Sequence, residues 1–206
     1  MARETRSIVK LSRREGYALH PKAHKALVKR PTPPGQHGQN MRRQKPSQYA
    51  LQLREKQKVK RLYGLLEKQF SNLMKEASRE KGQSGQVLLQ LLERRLDNTV
   101  YRSGLAMSRQ SARQLVTHGH FMLNGRRVDI PSIRVKAGDI IIVRPHSEKN
   151  EYFNKLDEVS PVSPNDIPAW VKVNRKKMEI TVTGVPTREE AEPDISEQLI
   201  VEYYSR

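Results

Sequence analysis

The sequence predicts an α+β protein. A basic extended N-terminal arm (1–45) precedes a helical domain (46–92, completed by a C-terminal helix at 187–206), and a small module of two helices plus an antiparallel sheet (93–186) is inserted between them. Three observations carry this prediction. Apolar residues recur at three- and four-residue steps between Leu65 and Leu92, the period of a helix face. From Leu96 to Val143 the chain reads as helix, helix, hairpin, and beyond Pro168 two short runs alternate apolar and polar residues as strands do.

The first 45 residues carry little apolar material. Leu11-Ser12-Arg13-Arg14-Glu15-Gly16 is basic and polar, and Arg30-Pro31-Thr32-Pro33-Pro34-Gly35-Gln36-His37-Gly38-Gln39 is too rich in proline and glycine for a lasting helix or central strand. The expectation is an arm that is flexible in isolation. Ser47 is placed to cap a helix that runs to Gly64. Arg54, Lys56, Lys58, Lys60 and Arg61 lie along it with Glu55 as the only acid between them, so its charge faces several directions at once; phosphates on more than one side, or a bend near Glu55, would account for that. A second helix spans Leu65 to about Lys81 with Leu66, Phe70, Leu73, Met74 and Ala77 as its stripe. Gly82-Gln83-Ser84-Gly85 breaks it, and a third runs from Gln86 to Arg95 with Leu88, Leu91 and Leu92 on one side.

In the central stretch Asp97 is the expected cap of a short helix that Gly104 ends, and Ser108 caps a second that Gly119 stops. Ala112, Leu115 and Val116 share the packing side of that second helix, while Arg109 and Arg113, one turn apart, share the adjoining edge. Asn124-Gly125 between Phe121-Met122-Leu123 and Arg126-Arg127-Val128 is a strong signal for a tight hairpin. Ala137-Gly138-Asp139 turns the chain into the strand Ile140–Val143. Ser147 to Pro168, bearing Pro161, Pro164 and Pro168, reads as a loop with a helical turn around Tyr152 to Leu156. Trp170–Val173 and Met178–Thr183 bring the sheet to four or five strands, and Asp194-Ile195-Ser196-Glu197 has the cap-and-reach-back pattern of a helix whose Leu199, Ile200 and Tyr203 pack inward.

Composition narrows the function. Only 35% of residues are hydrophobic and 5% aromatic, and 39 Lys plus Arg against 22 Asp plus Glu give a net charge of +17 and a pI near 10.3. Such an excess points to a polyanion, because each phosphate contact releases a condensed counterion. The charge is graded, with a net of +15 over residues 1–81, +6 over 82–147 and −4 over 148–206. The polyanion is therefore expected along the first two-thirds, and a basic protein against the last third.

Other classes are poorly supported. The chain has no cysteine, hence no disulfide or thiolate metal site, and His20, His24 and His37 lack a fourth ligand at finger-like spacing, so neither metal nor other cofactor is expected. No run of apolar residues is long enough to span a bilayer, and Met1-Ala2-Arg3-Glu4-Thr5-Arg6 does not lead into a signal-peptide core. No glycine-rich nucleotide loop, deaminase signature or nucleophile with a paired base is present, so the chain does not read as an enzyme and no small-molecule substrate is expected. The rival classes are an RNA-modifying or tRNA-charging enzyme and a general RNA- or DNA-binding protein.

Arg94-Arg95-Leu96-Asp97-Asn98, Ser108-Arg109, Ala112-Arg113-Gln114-Leu115-Val116, Gly119-His120, Asn124-Gly125-Arg126 and Gly138-Asp139, in that order, resemble the small RNA-binding module shared by ribosomal small-subunit protein four, bacterial tyrosyl-tRNA synthetases and some pseudouridine synthases. The flanks choose among them. Leu11–Gly16, Pro34-Gly35-Gln36-His37-Gly38, Gln52–Val59, Tyr63-Gly64 and Leu199–Ser205 resemble the bacterial-type family of ribosomal small-subunit protein four over nearly the whole chain. The resemblance implies a primary binder of small-subunit ribosomal RNA in the cytoplasmic small subunit, docking at a multi-helix junction of the 5′ domain and nucleating assembly of the subunit body. It also implies contact with the fifth small-subunit protein, a share with it and the twelfth in decoding accuracy, and a place near the path by which messenger RNA enters. Some members bind zinc through cysteines in the arm; this sequence has none of them.

On this reading Arg13, Arg14, Arg42, Arg43 and Lys45 of the arm and Arg54, Lys56, Lys58, Lys60 and Arg61 of the first helix neutralise phosphates, while Arg109, Arg113 and Arg126 of the module fix orientation, and Arg94 and Arg127 are further RNA-binding candidates. Asn98, Tyr101, Gln114, His118 and Asn124 are candidates for hydrogen bonds or stacking, each equally a candidate for local capping or packing, and Ser108 joins the RNA-binding set. Glu189, Glu190, Glu192, Asp194, Glu197 and Glu202 are the candidate contacts to a basic neighbouring protein.

Overall fold

The computed structural model describes residues 4–38, 45–161 and 167–205; Arg42, Arg43 and Pro164 lie outside the described residues. Two units divide the chain, Met1–Leu88 with Asp194–Arg206 and Leu89–Pro193.

In the first unit the basic stretch read as irregular forms α1 (Ile8–Glu15), which buries Leu11 and Ser12 and ends at Gly16 with φ 65°. The Ser12 hydroxyl both donates to the Ile8 carbonyl and accepts from the Leu19 amide, so one buried polar group closes the turn that follows. A short 3-10 turn (Pro21–Ala23) leads into α2 (His24–Lys29). The proline-rich segment then folds onto itself at a second 3-10 turn (Gln36–Gly38), where a Cβ on Gly38 would sit 2.0 Å from the Pro33 carbonyl oxygen. Only glycine fits there.

α3 (Gln48–Leu62) starts where Ser47 accepts a hydrogen bond from the Ala50 amide at 3.2 Å, as its cap position predicts. α4 (Glu67–Ala77) buries Phe70, Leu73, Met74 and Ala77, and Leu88 and Leu92 of α5 (Ser84–Glu93) are fully buried. Gly85, read as part of a break, lies inside α5.

The second unit is built on α6 (Leu96–Arg102) and α7 (Arg109–Thr117). Gly104 follows α6 with φ 74°, Ser108 caps α7 through the Ser111 amide at 3.2 Å, and Gly119 ends α7 with φ 71°. Asp97 is not a cap: it lies within the first turn of α6, which begins after Arg95. β1 (Phe121–Leu123), β2 (Arg126–Val128), β3 (Ile140–Val143), β4 (Val171–Asn174) and β5 (Glu179–Val182) form one antiparallel sheet in the order β2-β1-β3-β5-β4. Asn124 and Gly125 both take positive φ, 49° and 78°, the conformation a two-residue hairpin requires. Three single-turn helices, α8 (Pro145–Glu148), α9 (Glu151–Asn154) and α10 (Leu156–Val159), occupy most of the expected loop. Phe153 and Leu156 make them part of the core, a reason the chain folds there despite its polar composition.

Phe121, Ile141, Val143, Ile180 and Val182 on one face of the sheet pack with Leu96, Val100, Ala112 and Val116 of the two helices. The chain's last helix, α11 (Glu197–Tyr204), belongs to the first unit and buries Ile200. Glu197 side-chain carbons occupy the space a Cβ on Gly85 would need, at 2.7 Å, so the glycine permits α5 and α11 to approach closely. Ser196 forms no side-chain cap, and its amide donates to Glu55 instead.

Because Phe121 is fully buried at the centre of the second core, Phe121→Ala leaves a cavity and is expected to cost about 3–5 kcal/mol. Urea unfolding followed by circular dichroism checks this; an unchanged midpoint contradicts the packing described.

Candidate nucleic-acid interface

α3 explains its own charge pattern. Arg54, Lys58 and Arg61 fall at i, i+4, i+7 and Lys56 and Lys60 at i, i+4, so the run splits into two stripes, each of which meets an acid. The Glu15 carboxylate, whose side chain is fully buried, is bonded to Arg54 at 3.2 Å and to Arg61. Glu67 accepts from Lys56 at 2.6 Å and Lys60 at 2.9 Å. Lys58 bonds Glu55 at 2.9 Å and the Asp194 carbonyl at 2.5 Å. Aromatic faces complete the setting, with the Lys56 ammonium 4.5 Å from the Tyr203 ring centre and Lys58 5.3 Å from that of Tyr17.

Burial and charge compete at these acids. Desolvation raises the Glu15 carboxyl above the usual range, outweighing the guanidinium groups of Arg54 and Arg61, and burial likewise lowers Arg61. At Glu67 burial pushes upward, but hydrogen bonds from Lys56 and Lys60 prevail and the net shift is downward. In the arm, Arg13 donates to the carbonyls of Thr32 and Pro33 at 3.0 and 3.2 Å, whereas Arg14 and Lys45 are exposed.

The α6–α7 pair holds a second network. Arg95 makes two bonds to the Asp97 carboxylate, at 3.1 and 2.9 Å, and Arg113 a third at 3.3 Å. Asn98 donates to the Glu93 carboxylate at 2.7 Å and accepts from Arg109 at 2.9 Å. Arg109 also bonds Glu192 at 2.7 Å and lies 4.5 Å over the Tyr101 ring, while Arg102 makes two bonds to Glu93. Burial lowers Arg113 despite the opposing effect of Asp97. The edge of α7 that carries Arg109 and Arg113 is therefore a seam shared with acids, at which the two side chains stay 13% and 12% exposed. Glu93, Asp97 and Glu192 hold Arg95, Arg102, Arg109 and Arg113, three acids to four cations.

The other candidates divide between local and open positions. Arg94 donates to the Val135 carbonyl at 3.0 Å, and Ser108 is buried as the α7 cap. Asn124 does more than turn the chain: its amide donates to Asp139 and its oxygen accepts from the Ile140 amide, both at 2.9 Å, tying the hairpin to β3. Gln114, His118, Arg126 and Arg127 are exposed. Among the acids of the last third, Glu202 accepts from Gln52 and Glu190 from the Thr187 amide and hydroxyl. Asp194 contributes a carbonyl to Lys58, Glu197 lies at the start of α11, and Glu189 is exposed.

Sequence reasoning missed four basic residues. Lys172, Lys176 and Lys177 are exposed at and beside the β4–β5 turn, and Arg144 sits beside the end of α7, donating to the Gly119 carbonyl at 3.2 Å. Lys172 was legible, since it alternates with the inward Val171 and Val173. Arg144 was not, because only the fold brings it to Gly119.

A carboxyl whose folded value lies below the ordinary range adds stability that is fully present above that range and is lost as pH falls through the folded value. Glu67 is such a group. The urea midpoint of the wild type is expected to fall more steeply on acidification than that of Glu67→Gln, and parallel curves contradict the assignment.

Comparison with known proteins agrees with this geometry. Residues 3–93 match the model of the ribosomal protein S4/S9 N-terminal domain, and residues 94–141 match the S4 domain. The chain is 52% identical over 211 residues to small ribosomal subunit protein uS4 of Herpetosiphon aurantiacus, 50% over 206 residues to that of Roseiflexus castenholzii and 52% over 212 residues to that of Clostridioides difficile. In each case the match covers 100% of both chains. These relatives carry the names of ribosomal proteins and not of enzymes. Full-length identity at this level, with both domain models matched in order, makes the chain a member of the uS4 family of small ribosomal subunit proteins.

Proposed function

We propose that the chain is a structural ribosomal protein that binds small-subunit ribosomal RNA directly, nucleates assembly of the subunit body and contributes to translational accuracy. The observation that carries this reading is that the acids of these networks are outnumbered by the cations they hold. Glu15 and Glu67 each hold two cations, and three acids hold four around α6 and α7. Each network keeps a net positive charge, so it offers an approaching phosphate a fixed cationic field. Structured RNA is read mainly through its backbone, 2′-hydroxyls and shape, which suits a rigid cationic surface.

The RNA contacts we assign are Arg13, Arg14 and Lys45 of the N-terminal stretch with Arg42 and Arg43, the α3 cations, and Arg109, Arg113, Arg126 and Arg127 of the module. The multi-helix junction of the 5′ domain is the proposed site, within the cytoplasmic small subunit and near the path by which messenger RNA enters. Exposed Glu189 and the acids around it are assigned to a basic neighbour, the fifth small-subunit protein. Among the described residues no helix is long and apolar enough to cross a membrane.

Affinity for a 5′-domain transcript is expected to fall linearly as log Kd against log salt, and Arg126→Ala to weaken binding while lowering the slope by about 0.7 to 0.9, the share of one phosphate. A flat salt response, or binding abolished by excess duplex DNA, overturns the reading. Glu189→Lys is expected to weaken the contact with the basic neighbour and to leave RNA affinity intact; loss of RNA binding instead would place that acid at the wrong interface.

A further inference from the structure

The cations gathered around Gly119 differ from those of the α6–α7 network, because among the described residues no carboxylate is bonded to them. Gly119 is buried at the end of α7 with φ 71°, and the Arg127 guanidinium lies directly over it, its Nε 2.8 Å from where a Cβ would stand. Arg144 reaches the same residue from the end of β3, donating through its side chain to the Gly119 carbonyl at 3.2 Å and through its amide to the His120 carbonyl at 2.9 Å. On either side of the glycine stand two imidazoles, His118 and His120, with ring centres 6.1 Å apart. His118 is exposed. His120 is half-buried, with Nδ1 3.0 Å from the Ser147 hydroxyl on α8 and its ring 6.0 Å from that of Phe153 on α9.

Every charge that acts on His120 here is positive. Burial lowers its pKa first, and His118 and Arg144 lower it further. The C-terminal carbonyls of α7 offer only partial negative charge. Two fixed cations and two imidazoles thus converge where, among the described residues, no carboxylate is bonded to them, which is the electrostatic demand of an anion. Glycine at 119 lets the backbone lie beneath Arg127 with no side chain between it and the guanidinium.

We propose that Arg127, Arg144, His118 and His120 form a phosphate subsite for the RNA backbone, and that filling it is coupled to the uptake of a proton by His120. The inference rests on the ribosomal RNA reading and adds to it a site and a pH dependence. The proton comes from solvent and no covalent step is involved. A phosphodiester oxygen beside the His120 ring favours its charged form, so the added affinity is fully present below the free-protein pKa of His120 and is lost as pH rises through the bound one.

The test uses the full-length protein and a 5′-domain transcript, with Kd measured from about pH 5.5 to about pH 8 at constant ionic strength, the window set by the ordinary imidazole range. Affinity is expected to fall as pH rises, by about tenfold for each pKa unit by which binding lifts His120. His120→Gln removes that dependence; His118→Gln, at an exposed position, and Arg144→Gln weaken binding at every pH. The His120 imidazole NMR signals of the wild type, followed near pH 6.5, are expected to move toward their protonated positions when RNA is added, a readout that needs no variant to fold. Tight binding that is flat in pH, or His120 signals unmoved by RNA, overturns the subsite and leaves the ribosomal RNA reading standing. Binding absent at every pH overturns both.

Discussion

The constraint on which this structure depends is that a chain of net charge +17 must fold without its cations driving one another apart. It meets the constraint by sharing acids. Glu15, Glu67, Asp97, Glu93 and Glu192 each touch more than one positive or amide partner, and Glu15, Glu93 and Asp97 are nearly or wholly inaccessible. Opposite charges 4 Å apart attract by about 4 kcal/mol at the effective dielectric of a protein surface. A carboxylate between two guanidinium groups therefore gains twice from attraction while the cations repel across a longer distance. Its burial still costs, as the upward shift of Glu15 records, and removing such an acid would leave cations facing each other without a mediator.

That arrangement bears directly on binding. Ordering a long side chain at an interface costs about 0.5–1.5 kcal/mol for each one immobilised. Arg109, stacked on Tyr101 and bonded to Asn98 and Glu192, has met that cost during folding. The networks thus convert scattered, mobile charge into fixed positions with a net positive remainder. The same logic separates two kinds of cation in this protein. Those of α3 and of the α6–α7 seam are positioned by acids, whereas Arg126, Arg127, His118 and Arg144 are positioned by backbone, through the hairpin and the end of α7.

What the sequence disclosed was what is local. Ser47 and Ser108 cap their helices, Gly104 and Gly119 end theirs, and Asn124-Gly125 turns the hairpin, because in each case the relevant partner lies within four residues. What it withheld depends on distant partners. Nothing near Asp97 announces that Arg113, sixteen positions on, will share its carboxylate with Arg95, so a helix-start acid was read as a cap. The α3 charges pointed in too many directions for one phosphate face, and the resolution was Glu15 and Glu67, supplied by other helices. Gly85 looked like a breaker because the glycine's use, room for Glu197, comes from the far end of the chain. Candidate cations were thus easy to name from sequence, but which of them the fold would consume was not.

The sheet decides where the open cations stand. Phe121 pairs with Val128 and Met122 with Arg127, and paired residues of an antiparallel ladder share a face. With Phe121 and Val128 committed to the core, Arg127 is forced to the opposite side, where it reaches back over Gly119. A slip of one residue would exchange the faces, burying a guanidinium and exposing the core. The same apolar contacts that hold the unit together therefore set the register of its charge. Arg144 follows by the same route, since Phe121 also pairs with Val143 and thereby brings the residue after β3 alongside His120. The hydrophobic core selects which cations face outward, and the acids select how the remaining ones are held.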